Sequence, residues 1–356
     1  MNHIWIGASS LAVKLLNKWR KVHKDYSPFI ILDNDPSKVG KLINGVAIDS
    51  VSNIQKYLIQ EHEIIITTSF VDEVKKQLSE LNITSKIIDY KAKDLEVSSN
   101  ILKKNEHLLN SSKSKRCFVI GNAPSLGELD LDKIINDDKI MVNNFYKNPS
   151  LINLNPTYWM LADPLFWKKD QLFLDPILDI LNGKLSNTKL FISDEALGTV
   201  KRDIIDEENI YYYHMDNCNS DISSVSEIDF TNIVPLFAQN VISTSLMLAL
   251  FLKYEEIVLI GCDHTWWNYS KEEIENGVIP PHYYTKNDLD KKTSKNIFKD
   301  YGYEGIRKTI ERQKQEYYQL KLIAQSKDIK ILNATPGGYL EIFDRIIFED
   351  LFREGE

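Results

Sequence analysis

Three cysteines in 356 residues are too few and too far apart for a disulfide framework or a zinc ligand set. Cys117 and Cys262 stand in apolar runs and read as buried, reduced thiols; Cys218 is the odd one left over. Long hydrophobic runs are also missing. The densest, Leu246 to Leu252, falls far short of the roughly 20 residues a membrane helix needs. The opening "MNHIWIGASSL" lacks the basic stretch and unbroken apolar core of a signal peptide, so the expected location is cytoplasmic. There is no excess of positive charge. Lys and Arg number 43 against 51 Asp and Glu, a formal net charge of −8. That argues against a general nucleic-acid binder, which needs cations to replace phosphate counterions. It does not exclude a nucleotide site, because backbone N–H groups can hold an anion within an acidic protein. No short-period repeat is present.

What remains is an ordinary globular composition, 43% hydrophobic and 26% charged, at a length that suits two domains. The first 92 residues alternate strand and helix. "HIWIG", "PFIILDND" and "EIIITTS" read as strands, "SLAVKLLNKWRKV" and "VDEVKKQLSEL" as helices. This spacing predicts βαβ units and a parallel sheet. Residues 93–115 are rich in Lys, Ser and Asn and are expected to be a linker, with a helix near Ile101 to Leu109. From 116 to 356 the alternation restarts with "RCFVIG", "KIMVNNF", "PTYWMLADP", "KLFISD" and "IYYYH". "STSLMLALFLKY" is apolar on nearly every face and predicts a core helix, followed by the strand "EEIVLIGCDH". Ser270 to Asp300 is polar and Lys-rich and reads as a long loop or lid. A long amphipathic helix with Ile306, Ile310, Tyr317, Leu320 and Ala324 on one stripe comes next, then the strand and turn "IKILNATPGG". The fold class expected is α/β, with two Rossmann-like domains and mainly parallel sheets.

The stretch "CFVIGNAPSL" (117–126) runs a strand into a turn of small residues. Gly121 permits close approach of a ligand, Pro124 suits a first helical turn, and Ser125 offers a hydroxyl. Free N–H groups there would face a phosphate. "GCDHTWW" ends a later strand, where α/β sheets place ligand groups; Asp263 and His264 are the candidates.

"GNAPSL", "VNNFYK" (142–147), "LADPLFW" (161–167), "STSLMLALFLKYEEIVLIGCDHTWW" (243–267) and "ILNATPGGYLEIFDRI" (331–346) together resemble one superfamily over residues 117–348. It holds the bacterial lipooligosaccharide sialyltransferases of glycosyltransferase family 42, the motility-associated Maf glycosyltransferases and the archaeal 6-hydroxymethylpterin diphosphokinases. The resemblance implies a sialyltransferase-like catalytic domain, a variant of the GT-A fold. It implies a donor site at Gly121, Asn122, Ala123, Pro124 and Ser125, with Asn143, Asp163, Thr244 and Ser245. Asp163 replaces an amide of the family pattern. The arginine expected upstream of Thr244 is absent, and Asn240 is nearest. A histidine general base follows the "GCDHTWW" strand in the transferases, which nominates His282, with His264 as its rival and Asp263 beside it. Tyr283, Tyr284 and Tyr303 are candidates to stabilise the leaving phosphate.

The expectation is a glycosyltransferase that uses a nucleotide-activated sugar, a CMP-nonulosonate such as CMP-sialic acid, to extend a bacterial surface glycan. No metal and no other cofactor is expected. The partners would be the sugar donor and a glycan acceptor; a peripheral seat at the inner membrane and a homo-oligomer stay open. Two alternatives stand beside it. One is pyrophosphoryl transfer from ATP to a pterin, using Mg²⁺ with Asp163 and Asp263. The other is a non-catalytic nucleotide- or glycan-binding protein. In the first domain, "IWIGASS" with Asp33 resembles a Rossmann phosphate loop and ribose acid with one glycine only. Asp33-Asn34-Asp35 also matches a D-x-D metal motif, and the Rossmann reading is preferred because the acids follow the second strand.

Overall fold

The computed structural model describes residues 2–23, 25–58, 62–109, 111–112, 114–168, 174–198, 208–215, 222–234, 238, 240–278, 280–284 and 288–353. The chain forms two compact units, each a Rossmann-like α/β fold. The first comprises Met1–Lys103 with Asp194–Glu207, the second Lys104–Ser193 with Glu208–Glu356.

The first unit contains β1 (Asn2–Ile6), α1 (Ser10–Val22), β2 (Ile30–Asp33), β3 (Leu42–Ile43), β4 (Val46–Ser50), β5 (His62–Ile66), α2 (Val71–Glu80), β6 (Ile87–Asp89) and α3 (Tyr90–Leu102). The sheet order is β3-β4-β2-β1-β5-β6, and every pair is parallel except β3 with β4. The central strands carry apolar runs (Ile4 to Ile6, Ile30 to Leu32, Ile64 to Ile66) because both faces are covered there. Trp5 turns to one face with Leu15, Leu16 and Trp19; Ile4 and Ile6 turn to the other with Val74 and Leu78. The β3–β4 hairpin escaped the sequence reading although Asn44-Gly45, both at positive φ (45° and 85°), is the usual signal for a two-residue turn. The expected linker helix starts earlier than read, as α3, and passes into a short 3-10 turn at Lys103–Leu108. Asn105 and Leu108 belong to the second unit: Asn105 Nδ2 donates to Tyr212 O (2.8 Å) and Phe230 O (2.6 Å), and Leu108 joins that unit's core.

Asp33 does not stand free for a ribose. Its Oδ2 accepts from Ala8 N (2.6 Å) and Lys38 Nζ (3.2 Å), and its Oδ1 from Asp35 N (2.8 Å). The carboxylate therefore ties the turn after β1 to the turn after β2. Lys18 is a second fixed charge of this unit. Its ammonium is buried and meets Asp194 Oδ2 (2.7 Å), Asp94 Oδ2 (3.1 Å) and Ser98 Oγ (3.0 Å). Burial pulls its pKa down, but the attraction of Asp194 and Asp94 outweighs this and the net shift is upward. A raised lysine pKa stabilises the fold at every pH below about 10 and fades only above it. Lys18→Met strands two carboxylates and should cost about 3–5 kcal/mol in a urea titration of the full chain at pH 7. A loss below about 1 kcal/mol, the worth of a surface pair, would refute that burial matters here.

The second unit contains β7 (Arg116–Ile120), β8 (Asp138–Val142), α4 (Leu151–Leu154), β9 (Tyr158–Leu161), α5 (Leu165–Lys168), α6 (Asp175–Leu181), β10 (Lys189–Ser193) and β11 (Ile210–Tyr213). It continues with α7 (Val241–Phe251), β12 (Glu256–Ile260), α8 (Lys271–Glu275), α9 (Asp288–Ser326), β13 (Lys330–Asn333) and β14 (Asp344–Arg345). The order is β11-β10-β9-β8-β7-β12-β13-β14, parallel throughout. The chain builds outward from β7 through β11, then restarts on the far side of β7 with β12. The order reverses between β7 and β12, and ligands of open α/β sheets bind at such a point. Helix α7 is buried nearly all round, as its composition requires. Ser270 to Asp300 is not the long loop expected. Ser270 and Glu273 form a capping box that starts α8, and α9 begins at Asp288. No helix among the described residues is long and apolar enough to cross a membrane.

Candidate functional site

A cavity of about 350 Å³ opens at the carboxyl ends of β7, β8, β9 and β12, within the second unit. That volume is in the range of small-molecule sites. Its wall gathers the loop after each strand: Gly121 to Ala123, Asn143 and Asn144, Asp163, and Gly261 to Thr265. Asn240, at the start of α7, and the segment around His282 close it.

Asparagine side chains stitch these loops together. Asn122 Nδ2 donates to Val142 O at the end of β8 (3.0 Å). Asn143 Oδ1 accepts from Ala162 N beyond β9 (3.3 Å), and Asn143 O accepts from Trp159 Nε1 (2.9 Å). Asn143 holds a left-handed conformation, φ 44°, which asparagine tolerates better than most residues. Asp163 Oδ1 accepts from Leu165 N (2.9 Å) and so starts α5. The "ATPGGY" turn is used in the same way. Cys262 N donates to Thr335 Oγ1 (3.1 Å), and Tyr339 N to Asp263 O (2.8 Å).

The 121–125 loop departs from expectation. Gly121 N donates to Ile260 O (2.9 Å), Ala123 N to Gly261 O (3.1 Å) and Ser125 N to Asp263 Oδ2 (3.3 Å). Pro124 has no N–H. Asn122 N–H is the one donor of the loop without a partner among the described residues. The cradle of free amides is therefore not there: Ile260 O, Gly261 O and the Asp263 carboxylate take the donors a phosphate would have taken. Ser125 Oγ also donates to Asp263 Oδ1, and Ser125 is buried. Burial raises the Asp263 pKa, and the two Ser125 bonds work against that rise.

His264 sits at φ 49°, left-handed, with its ring edge-on to Trp267 (4.7 Å between centroids) and Tyr317 (5.5 Å). Its Nδ1 lies 2.9 Å from Cys262 O and its Nε2 2.8 Å from Tyr317 Oη. Burial pushes its pKa down to about 4. Both nitrogens are engaged, which does not suit a proton acceptor for substrate. His282 is placed differently. It lines the cavity, and its Nδ1 lies 3.0 Å from Pro280 O. A carbonyl only accepts, so Nδ1 carries the proton and Nε2 the lone pair. The segment is anchored: Tyr283 N donates to Asn122 O (2.8 Å), and a Cβ on Gly127 would meet the Tyr283 ring at 2.8 Å. Tyr284 lines the cavity, edge-on to His282 at 5.1 Å, with Lys147 Nζ 5.3 Å from its ring centroid.

Of the residues nominated from sequence, Gly121, Asn122, Ala123, Asn143, Asp163, Asp263, His264, His282 and Tyr284 meet at this cavity. Thr244 and Ser245 do not line it. They are buried in α7 and donate back to Asn240 O (3.2 Å) and Val241 O (2.8 Å), so the first residues of the helix form the wall instead. Pro124, Ser125 and Tyr303 are also outside the lining. Asn144 and Tyr317 were missed. Tyr317 reads as one more core residue on the α9 stripe, and only its hydroxyl contact with His264 reveals more. Two carboxylates but no lysine or arginine stand among the described lining residues. No protein-family model and no curated protein matches the chain.

Proposed function

We propose that the second unit is a glycosyltransferase that draws on a nucleotide-activated sugar, a CMP-nonulosonate, and extends a surface glycan. One observation carries the reading. Motif segments spread from residue 121 to residue 284 gather around one cavity at the reversal point of a parallel sheet. His282 Nε2 takes the proton of the acceptor hydroxyl, and that oxygen attacks the anomeric carbon. The bond from carbon to phosphate oxygen breaks, and the nucleoside monophosphate leaves with the electron pair. Asn122 N–H and the neutral amides of Asn143 and Asn240 are the donors on the nucleotide side. A single phosphate needs fewer cations than a diphosphate, and the described lining residues supply none.

A second reading is favoured by the same lining. Asp163 and Asp263, with no lysine or arginine among the described lining residues, suit Mg²⁺-dependent pyrophosphoryl transfer from ATP. Calorimetry of the full chain against CMP, UDP and ATP, each with Mg²⁺ and with EDTA, separates the two. CMP binding that EDTA leaves intact supports the transferase. ATP binding that requires Mg²⁺ supports the kinase-like reading, and no binding of any of the three sinks both.

A further inference from the structure

The His264 contacts extend into a chain that ends on the cavity wall. Asn240 Oδ1 accepts from Ile242 N (2.7 Å) and Ser243 N (2.9 Å), the first amides of α7. Backbone amides only donate, so this end of the side chain is the oxygen. Asn240 Nδ2 then lies 3.0 Å from Tyr317 Oη and donates to it. The phenol has one proton and two acceptors in range, His264 Nε2 at 2.8 Å and Asn240 Oδ1 at 3.2 Å. Since His264 Nδ1 faces Cys262 O, Nε2 is bare, and it is the nearer acceptor with no other donor. One arrangement of protons satisfies these three side chains: Asn240 to Tyr317, Tyr317 to His264, His264 to Cys262 O.

An amide nitrogen has two hydrogens. One of Asn240's is committed to Tyr317, and Asn240 lines the cavity. We propose that Asn240 is a ligand-reading residue whose second N–H is held toward the cavity by the positioning pair Tyr317 and His264, and that it takes an uncharged hydrogen-bond-accepting oxygen of the ligand. The inference rests on the cavity being the nucleotide-sugar site. Three features favour a neutral acceptor: the donor is an uncharged amide, its orientation is fixed from both ends, and the described lining residues include two carboxylates and no lysine or arginine. A carbonyl of a base or a hydroxyl of a sugar fits this chemistry. His264 acts through Tyr317 and touches no substrate. Its ring is held neutral in one tautomer so that the phenol proton always points one way.

Two measurements on the full chain test this separately. The first needs no ligand. In ¹⁵N-histidine-labelled protein, His264 should show the Nδ1–H neutral tautomer between pH 8 and pH 5.5, and Tyr317→Phe should keep that tautomer, because Cys262 O still takes the Nδ1 proton, while the Nε2 resonance shifts as its hydrogen bond is lost. An Nε2–H tautomer, or a His264 that protonates across that range in the wild type, overturns the positioning claim. The second is affinity. Asn240→Ser keeps a good helix cap and adds no charge. It should weaken CMP binding about tenfold, the worth of one unmet hydrogen bond, with a Tm within about 4 °C of wild type, the change for roughly 1 kcal/mol. Tyr317→Phe should weaken CMP in the same direction. Unchanged CMP affinity in folded Asn240→Ser overturns the ligand-reading role. If the wild type binds no CMP, UDP or ATP, the nucleotide reading and the role of Asn240 fall together, while the tautomer measurement still decides the positioning pair.

Discussion

Gly121→Val should not yield a folded protein. Strands β7 and β12 lie side by side and leave the sheet together, and their last bonds place Gly121 against Gly261. A Cβ on Gly121 would be driven into Gly261 O, and would lie 2.8 Å from Gly261 C and 3.2 Å from Cys262 Sγ. The obstacle is backbone in the middle of the sheet, not the end of a flexible side chain. Gly261 has its own constraint, φ +63°, so it cannot turn away without breaking Ala123 N to Gly261 O. Parting the strands would also disturb Cys262 and Asp263, which hold the Thr335 and Tyr339 turn. The loss should exceed about 4 kcal/mol, the size reserved for overpacked cores and broken networks. Gly121→Ala should show the same direction, since the clash begins at Cβ. Soluble yield and a thermal melt decide it. A Gly121→Ala protein that melts with the wild type would return this glycine to the role of admitting a ligand.

That glycine shows where sequence reading stops. A strand ending in Gly announces close approach, and both a ligand and a neighbouring strand meet that description. Which one is decided by β12, more than a hundred residues downstream. The same holds for the amides of the loop. Local pattern shows that Gly121 to Ser125 turn; the carbonyls of Ile260 and Gly261 and the carboxylate of Asp263 decide that the amides are occupied. Elements whose signal is local were legible. The largely apolar strands β1, β5, β7 and β12, the periodic helices α1 and α2, and the mostly apolar α7 follow from composition and period alone. Thr244 and Ser245 were not, because a helix apolar on nearly every side does not tell which face meets a cavity. The capping box at Ser270 was readable, yet the Lys-rich composition around it suggested a loop.

His282→Ala should lower kcat about 10²–10⁴-fold, the usual worth of a general base, while CMP affinity stays near wild type. The expectation comes from how the ring is held. Pro280 O takes the Nδ1 proton at 3.0 Å, so the neutral ring keeps its lone pair on Nε2. Tyr283 N on Asn122 O fixes the following residue to the same loop that opens the cavity. The imidazole is thus placed by main chain on both sides, and removing it should leave the wall standing. His264 is the contrast. With Nδ1 on Cys262 O, Nε2 on Tyr317 and a pKa pushed to about 4, it lacks the basicity for the step. His264→Asn should therefore act through binding and stability more than through the chemical step. The split between kcat and KM distinguishes the two residues. His282→Ala should lower kcat with little change in the KM for the donor, whereas His264→Asn should raise that KM and leave kcat nearer wild type. A His282→Ala enzyme with wild-type kcat, beside an inactive but folded His264→Asn, would move the base to His264.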